Sequence, residues 1–191
     1  MIYLSEMIKS VNMKEKTIVQ FVAFETTLDS AAFFTQWEQY KQSMDSDWNA
    51  TLQQHTLKNG RFKYVSQHKC SSSEFQFVFK KERRSPKFPE VEVRKKLAGG
   101  YSILQRECAS EMKPDESKIL VFIVDPTTDL DSFRHFSVHG KLNIYEAYYE
   151  NCQFTYILEF FVKDEYAFDV LQQLKILTSF SEAGVYKELH V

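Results

Sequence analysis

The sequence predicts an α+β fold built from two copies of one βαββαβ unit, each with an antiparallel sheet. The first observation is a repeat, because Asn59–Val65 and Asn151–Ile157 share Asn, Phe and Tyr at matching positions, 92 residues apart. The second is that segments of the same kind flank both copies in the same order. A repeat at a constant offset is typical of a duplicated structural unit.

The first unit is predicted over residues 15–109 and begins with a strand and a helix. Thr17–Phe24 is rich in β-branched and aromatic residues, which is typical of a strand. Asp29 suits the N-cap of the helix that follows. Apolar side chains recur at helical spacing along this helix and predict packing against the sheet: Phe33, Trp37, Tyr40 and Met44.

A hairpin is predicted next, with strands at 50–58 and 61–69. Asn59-Gly60 lies between them, and this dipeptide favours a two-residue turn in which both central residues have positive φ. An aromatic helix from Phe75 to about Lys81 and a strand over 91–108, interrupted at Gly99-Gly100, complete the first unit.

Residues 110–117, polar and containing Pro114, are predicted to link the first unit to a second one at 118–191. Residues 1–14 are predicted to form an N-terminal extension, and Met13 is a candidate alternative start. The predicted elements of the second unit are a strand at Lys118–Val124, a short helix at Asp131–Phe136, a hairpin of strands 141–150 and 153–163, a helix from Asp164 and a closing strand at Ala183–Val191.

The composition is that of an ordinary globular protein with many aromatic rings. Hydrophobic residues make up 43% and charged residues 26%, while aromatic residues reach 15%. The formal net charge of −2 predicts no general attraction to polyanions. No run reaches the roughly 18 apolar residues of a membrane helix. Cys70, Cys108 and Cys152 are far apart in sequence and predict reduced thiols, so we expect a cytoplasmic protein.

The order of elements, the hairpin at residues 52–70 and the Glu74-Phe75-Gln76-Phe77 segment resemble the dimeric α+β barrel superfamily. Within it, the chain is most similar to the antibiotic-biosynthesis-monooxygenase-like domains, over most of residues 15–191. The resemblance implies a ferredoxin-like fold in which two units of one chain form the barrel that two subunits form elsewhere. Related members include cofactor-independent oxygenases of aromatic compounds, haem-binding and haem-degrading enzymes, and lactone isomerases.

The resemblance implies that a haem-degrading member carries a His on the second helix of its unit. Residues 71–89 contain no His, and the matching residues 164–182 contain none either. The sequence also lacks a G-x-G-x-x-G motif, a phosphate-binding loop and a convincing set of metal ligands. We therefore expect no cofactor and no metal.

A two-residue turn at Asn59-Gly60 would pair His55 with Tyr64 and place seven side chains on one sheet face. These side chains are Gln53, His55, Leu57, Phe62, Tyr64, Ser66 and His68. An imidazole beside a phenol suits proton transfer, or the binding of an oxygenated aromatic compound. The candidate catalytic residues are therefore His55, Tyr64 and His68, with ligand contacts expected from Gln53, Ser66 and Trp37. The alternative is that these histidines are core residues with satisfied hydrogen bonds.

The same face of the second unit is predicted to be mainly apolar. Its members would be Asn143, Tyr145, Ala147, Tyr149, Phe154, Tyr156, Leu158 and Phe160. A polar face in one unit and an apolar face in the other predict that only the first unit keeps a pocket.

Three functions are compatible with the sequence. The first is binding of a small hydrophobic ligand, or a cofactor-independent monooxygenase-like reaction on a hydrophobic or aromatic compound. The second is a non-catalytic role in protein interaction or self-association, for example as a homodimer. The third is nucleic-acid binding through the basic residues at 80–96, supported only by the weak similarity of Gly60–Val65 to an RNA-recognition signature. Lys63 occupies a position where that signature needs a small residue, so nucleic acid is not the expected partner.

Overall fold

The structure is a computed structural model that describes residues 16–43, 49–57, 60–75, 93–107, 112–138, 140–150, 152–177 and 182–189. Within these ranges it contains eight strands, two α-helices and a 3-10 helix whose bounds follow, and residues 72–75 are helical as well. In chain order they are β1 (Thr17–Thr26), α1 (Ser30–Ser43), β2 (Ala50–His55), β3 (Tyr64–Ser71), β4 (Val93–Arg106), β5 (Glu116–Ile123), η1 (Leu130–Val138), β6 (Gly140–Ala147), β7 (Tyr156–Lys163), α2 (Asp164–Leu177) and β8 (Glu182–Leu189).

All eight described strands pair antiparallel and close into one barrel, in the order β1-β3-β2-β8-β5-β7-β6-β4. Closure gives each strand two neighbours and removes the free edges of the sheet. The first four strands run β4-β1-β3-β2 and the last four β8-β5-β7-β6, so both halves have the same internal order. The predicted α+β class, with an antiparallel sheet closed into a barrel, is confirmed.

Helix α1 begins as its sequence predicts, because the Ala32 amide donates a 2.8 Å hydrogen bond to the Asp29 carboxylate at the N-cap. Phe33, Trp37 and Tyr40 are buried, so the predicted packing of this stripe is confirmed for these three residues. Met44 lies outside the described residues, as do Asn59, Asn151, Cys108 and most of the predicted aromatic helix at 75–81.

The predicted interruption of the fourth strand at Gly99-Gly100 is wrong. Strand β4 runs through both glycines, which pair with Phe21 and Gln20 of β1. Glycine is needed at position 100 for packing, because a Cβ there would overlap the ring of Phe75. Strand β5 also begins at Glu116, inside the segment predicted as a linker.

The predicted register of the first hairpin is wrong by one residue. Gln54, not His55, pairs with Tyr64, and Leu52 pairs with Ser66. The His55 amide donates to the Lys63 carbonyl at 2.9 Å, so the strands are joined by a longer loop than a two-residue turn. Phe62 in this loop is fully buried in the barrel, and burying its ring outweighs the preference for a tight turn.

The second hairpin has the same register as the first. Tyr64 opens β3 and Tyr156 opens β7, 92 positions later. Thr51 pairs with Gln67, and Asn143 pairs with Glu159 at positions that are again 92 residues further on. Each residue of one hairpin therefore has a counterpart of equal pairing in the other, and these counterparts allow the two halves to be compared side chain by side chain.

The sheet separates two kinds of core. Aromatic and aliphatic side chains fill the barrel interior, among them Phe21, Phe62, Tyr101, Phe122, Phe154 and Tyr186. Outside the barrel, α1 covers the first half, while α2 and η1 cover the second. We call the outer surface of the sheet its helix side.

Candidate functional site

The helix side of the first half carries a row of polar and small residues in an otherwise apolar surface. Gln20 on β1 pairs with His68 on β3 and with Gly100 on β4, and Ser66 lies two residues before His68. Gln20 and Ser66 are 2% exposed and His68 is 7% exposed. We call these four residues the polar row. It lies between the aromatic cluster under α1 and a smaller cluster of Ile18, Cys70 and Phe75.

The second half has large apolar residues at every counterpart of the polar row. Phe160 pairs with Ile119, which pairs with Val185, and Leu158 replaces Ser66 two residues earlier. All four side chains belong to one core cluster packed against α2 and η1. The second half therefore buries apolar side chains at these positions, as protein cores usually do. The first half has smaller or hydrogen-bonding residues at the corresponding buried positions.

His68 is the titratable group of the polar row, and its hydrogen bond defines its tautomer. Nδ1 lies 3.2 Å from the backbone carbonyl of Asn49, and because a carbonyl only accepts, Nδ1 carries the proton. In the neutral ring, Nε2 then keeps its lone pair. Burial lowers the pKa of His68 more than the Asn49 carbonyl and the Glu74 carboxylate raise it, so the ring is neutral at pH 7.

Tyr64 and Trp37 form the aromatic wall beside the polar row. The ring of Tyr64 stacks on Phe33 at a centroid distance of 3.8 Å, and its hydroxyl donates to Ser30 Oγ at 3.2 Å. Burial raises the pKa of Tyr64, so this phenol stays protonated near neutral pH. Trp37 contacts Phe24 edge to face in the same cluster. Tyr64, Ser66, His68 and Trp37 are thus brought to one side of the sheet.

His55 and Gln53 lie on the opposite face, inside the barrel, so the predicted single face is wrong. The cause is the register of the hairpin, because a shift of one residue moves every side chain of a strand to the other face. Nδ1 of His55 accepts a 2.9 Å hydrogen bond from the Leu57 amide, which leaves the proton of the neutral ring on Nε2. Its ring contacts Tyr186 edge to face at 5.0 Å.

Glycines surround the His55 ring on both sides. A Cβ on Gly60 or on Gly184 would overlap the imidazole, so the ring packs directly against the backbone of both glycines. We expect Gly184→Ala to lower the free energy of unfolding by about 1–3 kcal/mol, because the added methyl overpacks this site. Denaturant unfolding measures the loss. Gly99→Ala is the matched control, since its Cβ would meet its neighbours at 3.0 Å or more. A smaller loss for Gly184→Ala than for Gly99→Ala would contradict this packing.

Both buried histidines should make stability depend on pH. Burial lowers the pKa of His55 and of His68 below the value of 6.5 in the unfolded chain. The unfolded state then binds more protons, so the free energy of unfolding falls as pH falls from 6.5 through the folded-state pKa values. Urea unfolding above and below this range should show a smaller pH effect in a His55→Gln/His68→Gln variant than in the wild type. An equal pH effect in both proteins would contradict the burial of neutral rings.

A buried charged network inside the barrel is a feature that sequence reasoning missed. Glu159 Oε1 lies 3.1 Å from Lys118 Nζ and accepts from Gln67 Nε2 at 3.0 Å, while Oε2 accepts from Tyr145 at 2.6 Å and from Asn143 at 3.0 Å. Gln67 Oε1 also accepts from Lys118 and from Gln53. The only sequence signal was a charged residue within each of two apolar strands. These contacts satisfy the carboxylate fully, so the network is suited to joining strands rather than to reacting.

The second half has no space for a haem between α2 and the sheet. A haem needs an axial ligand and space for its ring, but α2 contains no His and its inner face packs into an apolar core with β5, β7 and β8. Among the described residues, no group of three or more His, Cys, Asp and Glu is arranged to hold a metal ion. In the same part of the chain, no helix has the length and apolarity needed to cross a membrane.

Solved structures with this fold include chlorite dismutases, which belong to the dimeric α+β barrel superfamily. A chlorite dismutase variant from Candidatus Nitrospira defluvii, in which a tryptophan is replaced by phenylalanine, was solved in complex with cyanide. It has a TM-score of 0.55 and 7% sequence identity, and the match covers 93% of this chain and 92% of that one. Chlorite dismutase from the same organism in complex with imidazole has a TM-score of 0.53 and 8% sequence identity, and the match covers 91% of this chain and 92% of that one. No protein-family model and no curated protein matches the sequence. The shared feature is the fold of an α+β barrel.

Proposed function

We propose that the protein binds a small aromatic ligand on the helix side of its first half, at the polar row. The observation that carries this proposal is the contrast between the halves. Gln20, Ser66, His68 and Gly100 stand where the second half has Ile119, Leu158, Phe160 and Val185 in its core. The first half therefore has hydrogen-bonding and small side chains at buried positions where the second half has only apolar ones, and such a mixed surface suits a ligand that is apolar over most of its area and polar at one edge.

The chemistry of the site favours a planar hydroxylated compound. Rings of the α1 cluster form one wall, and Phe75 lies directly over Gly100 at the other end of the row. The Nε2 lone pair of His68 can accept a hydrogen bond or a proton from a phenol or enol. Holding the phenol or enol oxygen at His68 would position an electron-rich ring for a cofactor-independent monooxygenase-like reaction on a hydrophobic or aromatic compound. Binding is the proposal, and this reaction is its enzymatic extension.

The test replaces residues of the polar row by those of the second half. A Ser66→Leu/His68→Phe variant should lose binding of 1-naphthol by at least about tenfold, because both changes remove hydrogen-bonding groups and fill space. Isothermal titration or quenching of Trp37 fluorescence measures the affinity. Thr51→Asn is the matched control, since it makes the same kind of exchange at an exposed position of the neighbouring strand.

The outcomes separate the proposal from a packing role. Loss of binding in the double variant with retained thermal stability and unchanged affinity in the control supports a ligand site. Equal affinity in all three proteins contradicts it, and so does absence of binding by the wild type across a panel of hydroxylated aromatic compounds.

We also propose that the chain consists of two ferredoxin-like units at 15–109 and 118–191, joined by residues 110–117 and preceded by an extension at 1–14. The identical strand order and hairpin register of the halves support it. A duplication explains why Gln67 and Glu159, which occupy corresponding positions, meet in the barrel.

Self-association is the second candidate function, favoured by the outer face of α2. Phe168 is 60% exposed and Ile176 is 84% exposed, and positions eight apart lie on one side of a helix. Sedimentation equilibrium would detect a homodimer, and Phe168→Ser/Ile176→Ser should abolish it. The basic segment behind the nucleic-acid alternative lies mostly outside the described residues, and the described Arg94 is exposed.

A further inference from the structure

The two halves differ in where a large side chain lies between helix and sheet. The helix after β3 and helix α2 begin at residues 72 and 164, which are 92 positions apart. Phe75 in the first half is therefore the counterpart of Ala167 in the second. Strand pairing likewise makes Gly100 the counterpart of Val185. The larger residue of this pair is on the helix in the first half and on the strand in the second.

The ring of Phe75 fills the space that the absent side chain of Gly100 leaves at the sheet. A Cβ on Gly100 would lie only 2.5 Å from Cζ of Phe75, so the ring rests directly on the backbone of β4. Phe75 is buried and packs with Ile18 and Cys70. The ring therefore takes the place of a strand side chain and forms the end of the polar row on β4.

Phe75 limits the length of the polar row. The row crosses three adjacent strands, from His68 on β3 through Gln20 on β1 to Gly100 on β4. Neighbouring strands are about 4.8 Å apart, so the backbones at the two ends of the row are roughly 10 Å apart. A ligand that has its hydroxyl at His68 and lies along the row would meet the ring of Phe75 at its far end.

An aromatic contact continues from Phe75 to the protein surface. Its ring stacks on Tyr149 at a centroid distance of 5.6 Å and an angle of 26°, and Tyr149 is 39% exposed. Tyr149 also contacts Tyr148 edge to face. Removal of the Phe75 ring would thus join the row to an aromatic surface, which suits a further ring of a longer aromatic ligand.

We propose that Phe75 is the specificity-determining residue of the ligand site, and that it selects bicyclic phenols over longer ones. This inference rests on the function proposed above. The exchange of large and small residues supports it, because Phe75 is large at the end of the row, where its counterpart Ala167 is small. A large residue at the end of a site excludes longer ligands by steric overlap.

The test compares the affinities of the full chain for 2-naphthol and for 2-hydroxyanthracene, which is longer by one ring, by isothermal titration. We expect the wild type to bind 2-naphthol more tightly. Phe75→Ala should change the ratio of the two affinities by about tenfold or more in favour of the longer compound. Phe75→Ala/Gly100→Val gives the first half the residue pair of the second and refills the space, so it should restore the wild-type ratio. Leu104→Ala removes an exposed apolar side chain from the same strand and is the matched control, which should leave the ratio unchanged.

A smaller truncation keeps the test valid if Phe75→Ala does not fold. Phe75→Leu retains an apolar side chain and should shift the ratio in the same direction, and thermal unfolding shows which variants are folded. A wild-type ratio in every folded variant of Phe75 overturns its role and leaves the ligand site standing. Absence of binding of both compounds by the wild type and by the variants overturns the ligand site and this inference together, so the two failures are distinguishable.

Discussion

A Lys118→Met variant should lose about 3–5 kcal/mol of unfolding free energy at neutral pH. Lys118 and Glu159 form an ion pair at 3.1 Å with side chains only 8% and 3% exposed. Burial alone raises the pKa of Glu159, but Lys118 and the hydrogen bonds of Tyr145, Asn143 and Gln67 outweigh it and hold the pKa below its usual value. Without the ammonium group, the charged carboxylate remains buried with only neutral donors. Denaturant unfolding with linear extrapolation measures the loss.

The pH dependence of this loss identifies its cause. In the variant, the pKa of Glu159 should rise above its unfolded value, so protonation stabilises the fold and the deficit against the wild type shrinks as pH falls. A Lys118→Met/Glu159→Gln variant should recover most of the stability, because no unpaired charge remains. A loss below about 1 kcal/mol for Lys118→Met, or a deficit independent of pH, would contradict the buried ion pair.

A Trp37→Ala variant should lose about 3–5 kcal/mol of unfolding free energy. Trp37 is 2% exposed, and its indole contacts Phe24 at a centroid distance of 5.9 Å and Tyr40 at 5.8 Å. Truncation leaves a cavity between α1 and the sheet, and the stacked pair of Tyr64 and Phe33 limits how far the helix can collapse into it.

An exposed position on the same helix is the control for this truncation. Gln39 lies on the solvent side of α1, and Gln39→Ala should change the unfolding free energy by less than about 0.5 kcal/mol. A loss below about 1 kcal/mol for Trp37→Ala would show that α1 does not pack on the sheet as described.

Local patterns in the sequence predict the elements of this fold well. The period of Phe33, Trp37 and Tyr40 predicts the buried face of α1, and the repeat at 92 positions predicts equal hairpins. The register of those hairpins could not be predicted from Asn59-Gly60 alone. Burial of Phe62 and Phe154 in the barrel is a long-range effect, and it sets the loop length in both halves.

The candidate site shows the consequence of that one-residue difference. Alternation correctly places Tyr64, Ser66 and His68 together along β3, but the register sends His55 and Gln53 into the barrel. Gln20 and Gly100 were missed because they come from strands that join β3 only through pairing. The signal available in the sequence was a glutamine in the middle of the apolar strand Thr17–Phe24.

Nitrogen NMR of the histidine rings tests the ligand site most directly. Without ligand, His68 should show the Nδ1–H tautomer and His55 the Nε2–H tautomer, as their hydrogen bonds to Asn49 and Leu57 require. The two rings are assigned by comparison with His68→Phe and His55→Gln. On addition of 1-naphthol, the Nε2 resonance of His68 should shift with saturation while both nitrogens of His55 stay unchanged. A saturable shift confined to His55, or no shift of His68 at any concentration of the compound, would contradict a ligand site at the polar row.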